Sequence, residues 1–139
     1  MITLALALLF VFGQPASAQA GRKLEARYAY TMRLLKLDKQ TAAKFGPVLH
    51  KYLEEMKEAG DPYDAVKDKY KAAEKAGTIT DAQGTALMEA KLTAEAKELA
   101  VKKKYYPEFR KLLKGNKVYY AFKYSNDKMS KIEGHDKEE

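Results

Sequence analysis

A basic and aromatic stretch near the C-terminus contains the side chains best suited to binding chemistry. Between Val101 and Lys131 the sequence has ten Lys or Arg residues and two acids, a net charge of +8 against +7 for the whole chain. The same interval contains seven aromatic residues: Tyr105, Tyr106, Phe109, Tyr119, Tyr120, Phe122 and Tyr124. Such a surface attracts acidic partners over long range, and tyrosine faces and lysine stems then offer adaptable apolar contact. This pattern indicates a binding surface rather than a reaction centre.

Ten residues form the predicted binding surface for unfolded or partly folded polypeptides. They are Lys102, Lys103, Lys104, Tyr106, Arg110, Lys114, Lys117, Tyr120, Lys123 and Tyr124. The alternative is structural: Tyr105, Phe109 and Phe122 pack a helical hairpin while the lysines solvate its outer side. Adjacent aromatic residues such as Tyr119-Tyr120 are about 100° apart on a helix, so one of them is expected near the rim of the packed face.

The sequence predicts no catalytic site, no cofactor and no metal site. It has no cysteine, which excludes disulfides, thiolate metal sites and cysteine nucleophiles. Its two histidines are His50, with Glu54 one turn on, and His135, beside Asp136. Transition-metal sites need three or four donors, so both histidines are expected to be surface residues. With no glycine-rich phosphate loop and no H-E-x-x-H motif, we do not expect an enzyme.

A long helix is predicted to position the basic stretch, within Ile79–Lys114. Thr80 and Gln83 form a capping box, in which the Thr80 hydroxyl accepts from the Gln83 amide and the glutamine side chain returns to the cap. Apolar residues then recur at helical spacing: Met88, Leu92, Ala96, Leu99, Tyr106, Phe109 and Leu113. We expect this face to pack against the other helices, and Pro107 to bend the helix.

The remaining chain also shows helical periodicity, with no strand pattern. The other helices are predicted at 24–37, 39 to about 59, 63–75 and 117–132. Asp38 is the expected N-cap of the second helix, Gly60-Asp61-Pro62 its expected end, and Gly115-Asn116 a tight turn. The prediction is an all-α fold, with one helical domain at residues 19–133 and a disordered tail at 134–139.

Residues 1–18 are predicted to be a signal peptide. Ile2 to Phe12 is an apolar run too short for a stable membrane anchor, and Ala16-Ser17-Ala18 fits an A-x-A cleavage site. No Lys or Arg precedes the apolar run, and the alternative is a buried N-terminal helix. We therefore expect export to the periplasm and no stable membrane insertion after cleavage. Export argues against nucleic acid as a partner, although aromatics among lysines suit single strands.

Ile79-Thr80-Asp81-Ala82-Gln83 resembles the L-T-x-x-Q motif of the Spy/CpxP family of periplasmic stress proteins, with Ile in place of Leu. In that family the motif occurs twice, each copy opening a helix. The first copy is expected at Leu37-Asp38-Lys39-Gln40-Thr41, where only Leu37 matches outright, Asp38 can act as the cap, and Thr41 cannot reproduce the glutamine. The runs at 44–52 and 104–113 look like related exported proteins of Bacteroidetes-type bacteria.

The resemblance implies an elongated, bent helical hairpin of four to five helices that pairs with a second copy into a cradle-like homodimer. Members of the family act as ATP-independent chaperones, as inhibitory partners of envelope-stress sensor kinases, or as zinc-linked stress proteins. The expected function is that of a chaperone that binds unfolded or damaged envelope proteins through the basic and aromatic face. The alternatives are a regulatory partner of a membrane sensor and a metal-responsive protein, although the missing cysteines and histidine cluster depart from the zinc-linked members.

Overall fold

A computed structural model describes residues 16–135 and 137, with side chains from Gly21 onward. The described residues form α-helices and contain no strand, which confirms the all-α prediction. The helices are α1 Ala16–Leu35, α2 Lys39–Lys69, α3 Lys71–Ala76, α4 Asp81–Leu112, α5 Gly115–Ser125 and α6 Met129–His135. The apolar run predicted as a signal peptide lies outside the described residues. Among the described helices none is long and apolar enough to cross a membrane.

Both predicted helix caps are present. The Asp38 carboxylate accepts from the Thr41 backbone N–H at 2.8 Å, and the Thr41 hydroxyl donates to the other carboxylate oxygen at 2.7 Å. At α4 the Gln83 N–H donates to the Thr80 hydroxyl at 3.2 Å, while the Gln83 side chain accepts from the Thr80 N–H at 3.1 Å. These bonds satisfy amides that have no partner within the helix, so each cap fixes where its helix begins.

Three predicted boundaries are wrong. Helix α2 continues through Gly60-Asp61-Pro62 and ends at Lys69; Ala59 is buried just before this point, and Gly60 lies close to Glu98 on α4. Gly115 begins α5 instead of forming a turn. The predicted last helix is divided after Ser125, where α5 ends and a short connection leads to α6. In each case contacts between helices override the local preference for a turn or for continuation.

Helices α2 and α4 form an antiparallel hairpin whose core lies at one end. We call that end the base: α1, residues 39–59 of α2, residues 94–113 of α4, α5 and α6. Its core cluster consists of Leu35, Phe45, Leu49, Tyr52, Leu53, Tyr105, Phe109, Leu113, Val118 and Ala121. The Phe109 ring meets the Phe45 ring edge-on at 5.0 Å and the Tyr52 ring at 5.3 Å. The base therefore has the packed aromatic interior of a small domain.

The other end of the hairpin is a two-helix arm, residues 60–93. It comprises the end of α2, α3, the connection to α4 and the start of α4. No residue between 60 and 93 is buried. The arm is therefore held by contacts between α2 and α4 and by its caps, without a core of its own.

The N-terminal helix is attached to the C-terminal segment by a buried polar network. The Arg27 guanidinium donates to the backbone oxygens of Ser125 at 2.7 Å and Asp127 at 2.6 Å. The Tyr30 hydroxyl donates to the Asp127 carboxylate at 2.6 Å, and burial together with this bond raises the pKa of Tyr30 to about 12. These bonds satisfy carbonyls at the end of α5, which explains why the helix stops at Ser125.

The C-terminal helix continues into the segment predicted as a solvated tail. Helix α6 includes Gly134 and His135, and the His135 ring lies 5.8 Å from the Tyr30 ring. His135 Nδ1 is 3.2 Å from the Arg33 guanidinium. Because His135 packs on α1 and is half-buried, it is part of the base rather than a free surface residue.

Candidate binding surface

A groove between α4 and α5 forms the centre of the candidate surface, with a volume of about 640 Å³. We call it the basic groove; its lining residues are Lys102, Lys103, Tyr106, Tyr119, Phe122, Lys123, Asn126 and Asp127. Phe122 connects the groove to the core, since its ring lies 4.9 Å from Phe109 and 5.5 Å from Tyr52. The basic groove is wide and open rather than an enclosed cavity, with an apolar floor backed by the packed core.

The lysines of the basic groove are available for a ligand. Within the described part of the chain, no carboxylate lies within ion-pair distance of the ammonium groups of Lys102, Lys103 or Lys123. The groove's own acid, Asp127, is bonded to Tyr30 and Lys131 on α1 and α6. Burial raises the pKa of Asp127, but the bonds from Tyr30 and Lys131 outweigh burial and keep its pKa below the usual value. The groove therefore has an apolar floor and a positive rim, on which Lys102 and Lys103 have no ion pair within the described residues and Lys123 interacts with the nearby Asp127.

Four of the ten predicted surface residues meet in the basic groove: Lys102, Lys103, Tyr106 and Lys123. Arg110 lies beside them, with its guanidinium 5.6 Å from the centre of the Tyr106 ring. Tyr120 and Tyr124 are outside the groove and stack on each other at 5.4 Å. Lys114 is exposed at the N-cap of α5. The predicted surface is thus divided between two faces of α5.

Two predicted surface residues bind other parts of the base. Lys104 forms an ion pair with Glu55 at 2.6 Å, joining α4 to α2, and this bond lowers the pKa of the Glu55 carboxyl. The Lys117 ammonium donates to the Leu35 carbonyl at the end of α1. A cation is favourable there because the last carbonyls of a helix carry negative partial charge. Both ammonium groups hold helices together, so we leave these two residues out of the surface proposed below.

A row of exposed apolar side chains leads from the basic groove along α4. The exposed fractions are 49% for Tyr106, 52% for Leu99, 57% for Leu92 and 53% for Met88. Spacings of seven, seven and four residues place these side chains on one line of the helix. We call these four residues the outer row. Exposed apolar side chains aligned in this way are typical of an interaction surface.

The outer row corrects the prediction that Met88, Leu92 and Leu99 pack against the other helices. Helix α4 buries a different face, through Ala94, Tyr105 and Phe109. Two apolar stripes therefore run along α4, and only one of them meets α2. Periodicity alone could not show which stripe is buried, because both have helical spacing.

The predicted binding surface missed four residues of the groove: Tyr119, Phe122, Asn126 and Asp127. Phe122 was predicted only as a packing residue. Tyr119 is the most exposed large aromatic side chain in the described part of the protein, at 63%. Its position one turn before Lys123 would have placed it on the same face of α5. Asn126 and Asp127 could not be placed from the sequence, because they enter the groove only where α5 ends.

His50 is held between two carboxylates on different helices. Its Nε2 lies 2.6 Å from Glu25 on α1, and its Nδ1 lies 2.8 Å from Glu54 on α2. Both nitrogens can donate only in the imidazolium form. Hydrogen bonding to Glu25 raises the pKa of His50 more than burial lowers it. The two carboxylates therefore favour the protonated imidazolium form of His50. The described residues contain no group of three or more His, Asp or Glu side chains suited to a metal.

No protein-family model, curated protein or solved structure matches this chain. The resemblance to the Spy/CpxP family therefore rests on short sequence motifs alone, of which the Thr80 to Gln83 capping box is one. The basic groove and the outer row are properties of this chain and do not depend on that resemblance.

Proposed function

We propose that this protein binds unfolded or partly folded proteins of the bacterial envelope and prevents their aggregation without using a nucleotide. The observation that carries the proposal is the continuity of the basic groove with the outer row through Tyr106, which belongs to both. Unfolded chains expose mixed apolar and charged segments. A surface that combines aromatic rings, aliphatic stems and positively charged lysines can contact many such segments without a fixed sequence.

The envelope setting is supported by the N-terminal sequence, in which an apolar run precedes Ala16-Ser17-Ala18. The positive groove favours acidic segments, and long-range attraction would speed their capture at low ionic strength. Pairing with a second copy, as the resemblance implies, is a separate prediction that sizing of the purified protein tests. A regulatory partner of a membrane sensor would use the same groove but would bind one folded domain with fixed stoichiometry.

The test is suppression of aggregation by the mature chain, residues 19–139, using several unrelated denatured proteins at stoichiometric ratios. We expect suppression at low salt that weakens as salt is raised, since screening reduces the attraction of the lysines. The variant Lys102→Gln/Lys103→Gln/Lys123→Gln should lose most of the suppression.

A matched variant, Lys71→Gln/Lys75→Gln/Lys97→Gln, removes the same charge from exposed positions outside the groove. It should retain suppression, which would separate the groove from the effect of net charge. Absence of suppression at low salt, or equal loss in the two variants, would contradict the proposed function.

A further inference from the structure

The outer row repeats one of the two seam positions of a heptad; the other position holds Met88, Glu95 and Lys102, so the row is a single apolar line rather than a complete coiled-coil seam. Leu92, Leu99 and Tyr106 follow one another at seven-residue intervals, and Met88 precedes Leu92 by four. At about 1.5 Å per residue the seven-residue steps are about 10 Å long. Neighbouring side chains on one face of an extended strand are only about 7 Å apart, so a strand does not match these steps. A helix with a heptad seam presents apolar side chains at the same interval.

The arm also lacks a third helix that would give it a core. None of residues 60–93 is buried, and Met88 and Leu92 face away from the α2–α4 contact. A helix lying on the outer row would cover these side chains and turn the two-helix arm into a three-helix bundle. It would satisfy its own backbone N–H and C=O groups internally, so the apolar row need not supply hydrogen bonds.

The charged residues beside the outer row determine which kind of helix would bind there and in which direction it would lie. At the groove end, Tyr106 is flanked by Lys102, Lys103 and Arg110, which have no carboxylate within ion-pair distance in the described part of the chain. At the arm end, Glu89 and Glu95 lie three residues before and after Leu92 and outnumber the adjacent Lys91, so this end is less positive than the groove end. The C-terminal end of a helix carries negative partial charge, which favours its placement beside lysines.

From these observations we propose that the outer row docks one kind of client segment, an amphipathic helix that is acidic toward its C-terminal end. The helix lies parallel to α4, with its apolar seam on Met88, Leu92, Leu99 and Tyr106 and its acidic end in the basic groove. This inference rests on the proposed function and names the class of segment that the same surface selects.

The experiment uses a synthetic peptide of three heptads, with Leu at positions a and d and Glu flanking the last heptad. Binding to the mature chain is followed by fluorescence anisotropy, and helix formation by circular dichroism. We expect binding with a gain of helix. A peptide of the same composition in scrambled order, and one with Lys in place of each Glu, should bind at least about tenfold more weakly, because one loses the apolar seam and the other the charge match.

The matching protein variant is Leu92→Gln/Leu99→Gln, which removes apolar contact from two exposed positions and should leave the core intact. It should weaken binding of the acidic peptide about tenfold or more. Ala100→Gln changes an exposed position about 100° away on α4 and should bind the peptide like the unaltered protein.

Four results would overturn the inference: equal binding of the scrambled peptide, binding without a gain of helix, unchanged binding by Leu92→Gln/Leu99→Gln, or a dimer of the unaltered protein that this variant dissociates. The last result would show that a second copy occupies the outer row. If one of these results is found while the protein still suppresses aggregation, the docking proposal is rejected and the proposed chaperone function is retained. Peptide binding without suppression of aggregation would instead reject the chaperone function.

Discussion

In the base, α1 packs on α2 and α5 packs on α4, with α6 against α1, whereas in the arm α2 and α4 contact only each other and α3. The consequence is visible in burial: the core cluster lies entirely in the base, and residues 60–93 contain no buried side chain. Local opening costs least where few apolar contacts must break. The base therefore supplies the stability of the fold, and the arm supplies exposed surface for binding.

The largest expected effect is the difference in the free energy of unfolding between a substitution in the core and one in the outer row. Phe109 is fully buried and contacts the rings of Phe45, Tyr52 and Phe122. Phe109→Ala should lower the free energy of unfolding by about 3–5 kcal/mol, since the transfer and cavity costs add. Leu92→Ala should change it by less than about 0.5 kcal/mol, because Leu92 is already exposed. Urea unfolding measures both, and similar losses would show that the arm and the base are not distinct.

A pair of glycines sharpens the comparison. A Cβ at Gly46 would lie 2.6 Å from the Tyr28 hydroxyl, so Gly46→Ala must displace the end of the Tyr28 side chain, which should cancel most of the gain of about 1 kcal/mol in helix propensity. At Gly84, in the arm, the nearest atom would be an Ile79 methyl at 3.6 Å, an ordinary contact. Gly84→Ala should stabilise the helix by up to about 1 kcal/mol.

The midpoint of thermal unfolding should therefore rise for Gly84→Ala and change little for Gly46→Ala. Adding Tyr28→Phe to Gly46→Ala removes the atom in conflict and should recover the missing gain in stability. If both variants were stabilised to the same extent, the close approach of α1 and α2 at Gly46 would not matter for the base.

The smallest expected effect is a dependence on pH confined to the base. The pKa of His50 is raised in the folded state by Glu25 and Glu54. Its stabilising contribution is therefore fully present below the unfolded pKa of about 6.5 and is lost as pH rises through the folded pKa. The three side chains are partly exposed, so solvent screening keeps the contribution small.

The measurement is the midpoint of thermal unfolding across this pH range, compared with His50→Gln. The unaltered protein should lose a little stability as pH rises, and the variant should lose less. Hydrogen exchange should show the change in α1 and the first half of α2 and not in the arm. An equal pH dependence in both proteins would assign the effect to other groups.

Local features of the sequence were enough to predict the all-α class and the two helix caps, but not every helix boundary. Asp38, Thr80 and Gln83 act within four residues of their own positions, so their bonds could be predicted without knowing the fold. Gly60-Asp61-Pro62 was misleading because α2 continues through it alongside α4. Local chemistry predicts where helices can begin more reliably than where packing lets them continue.

The binding surface could be predicted only in part. The concentration of lysines and aromatics identified the region, but Lys104 and Lys117 meet their partners, Glu55 and Leu35, across 49 and 82 positions. Such contacts depend on the tertiary arrangement and leave no local pattern. The same holds for the outer row, since exposure of one apolar stripe on α4 depends on which other stripe faces α2.

The bonds from Arg27 also constrain how the protein folds. They join positions 98 and 100 residues apart, so α1 cannot be fixed in the base until the end of α5 is present. A chain that emerges N-terminus first can pair α2 with α4 once residue 112 is present, but the face of α1 that packs on α5 and α6 stays uncovered until the last helices arrive. Contacts between distant positions also slow folding, because the long loop must close before they form. During that interval the nascent chain exposes the same kind of surface that we propose it protects in other proteins.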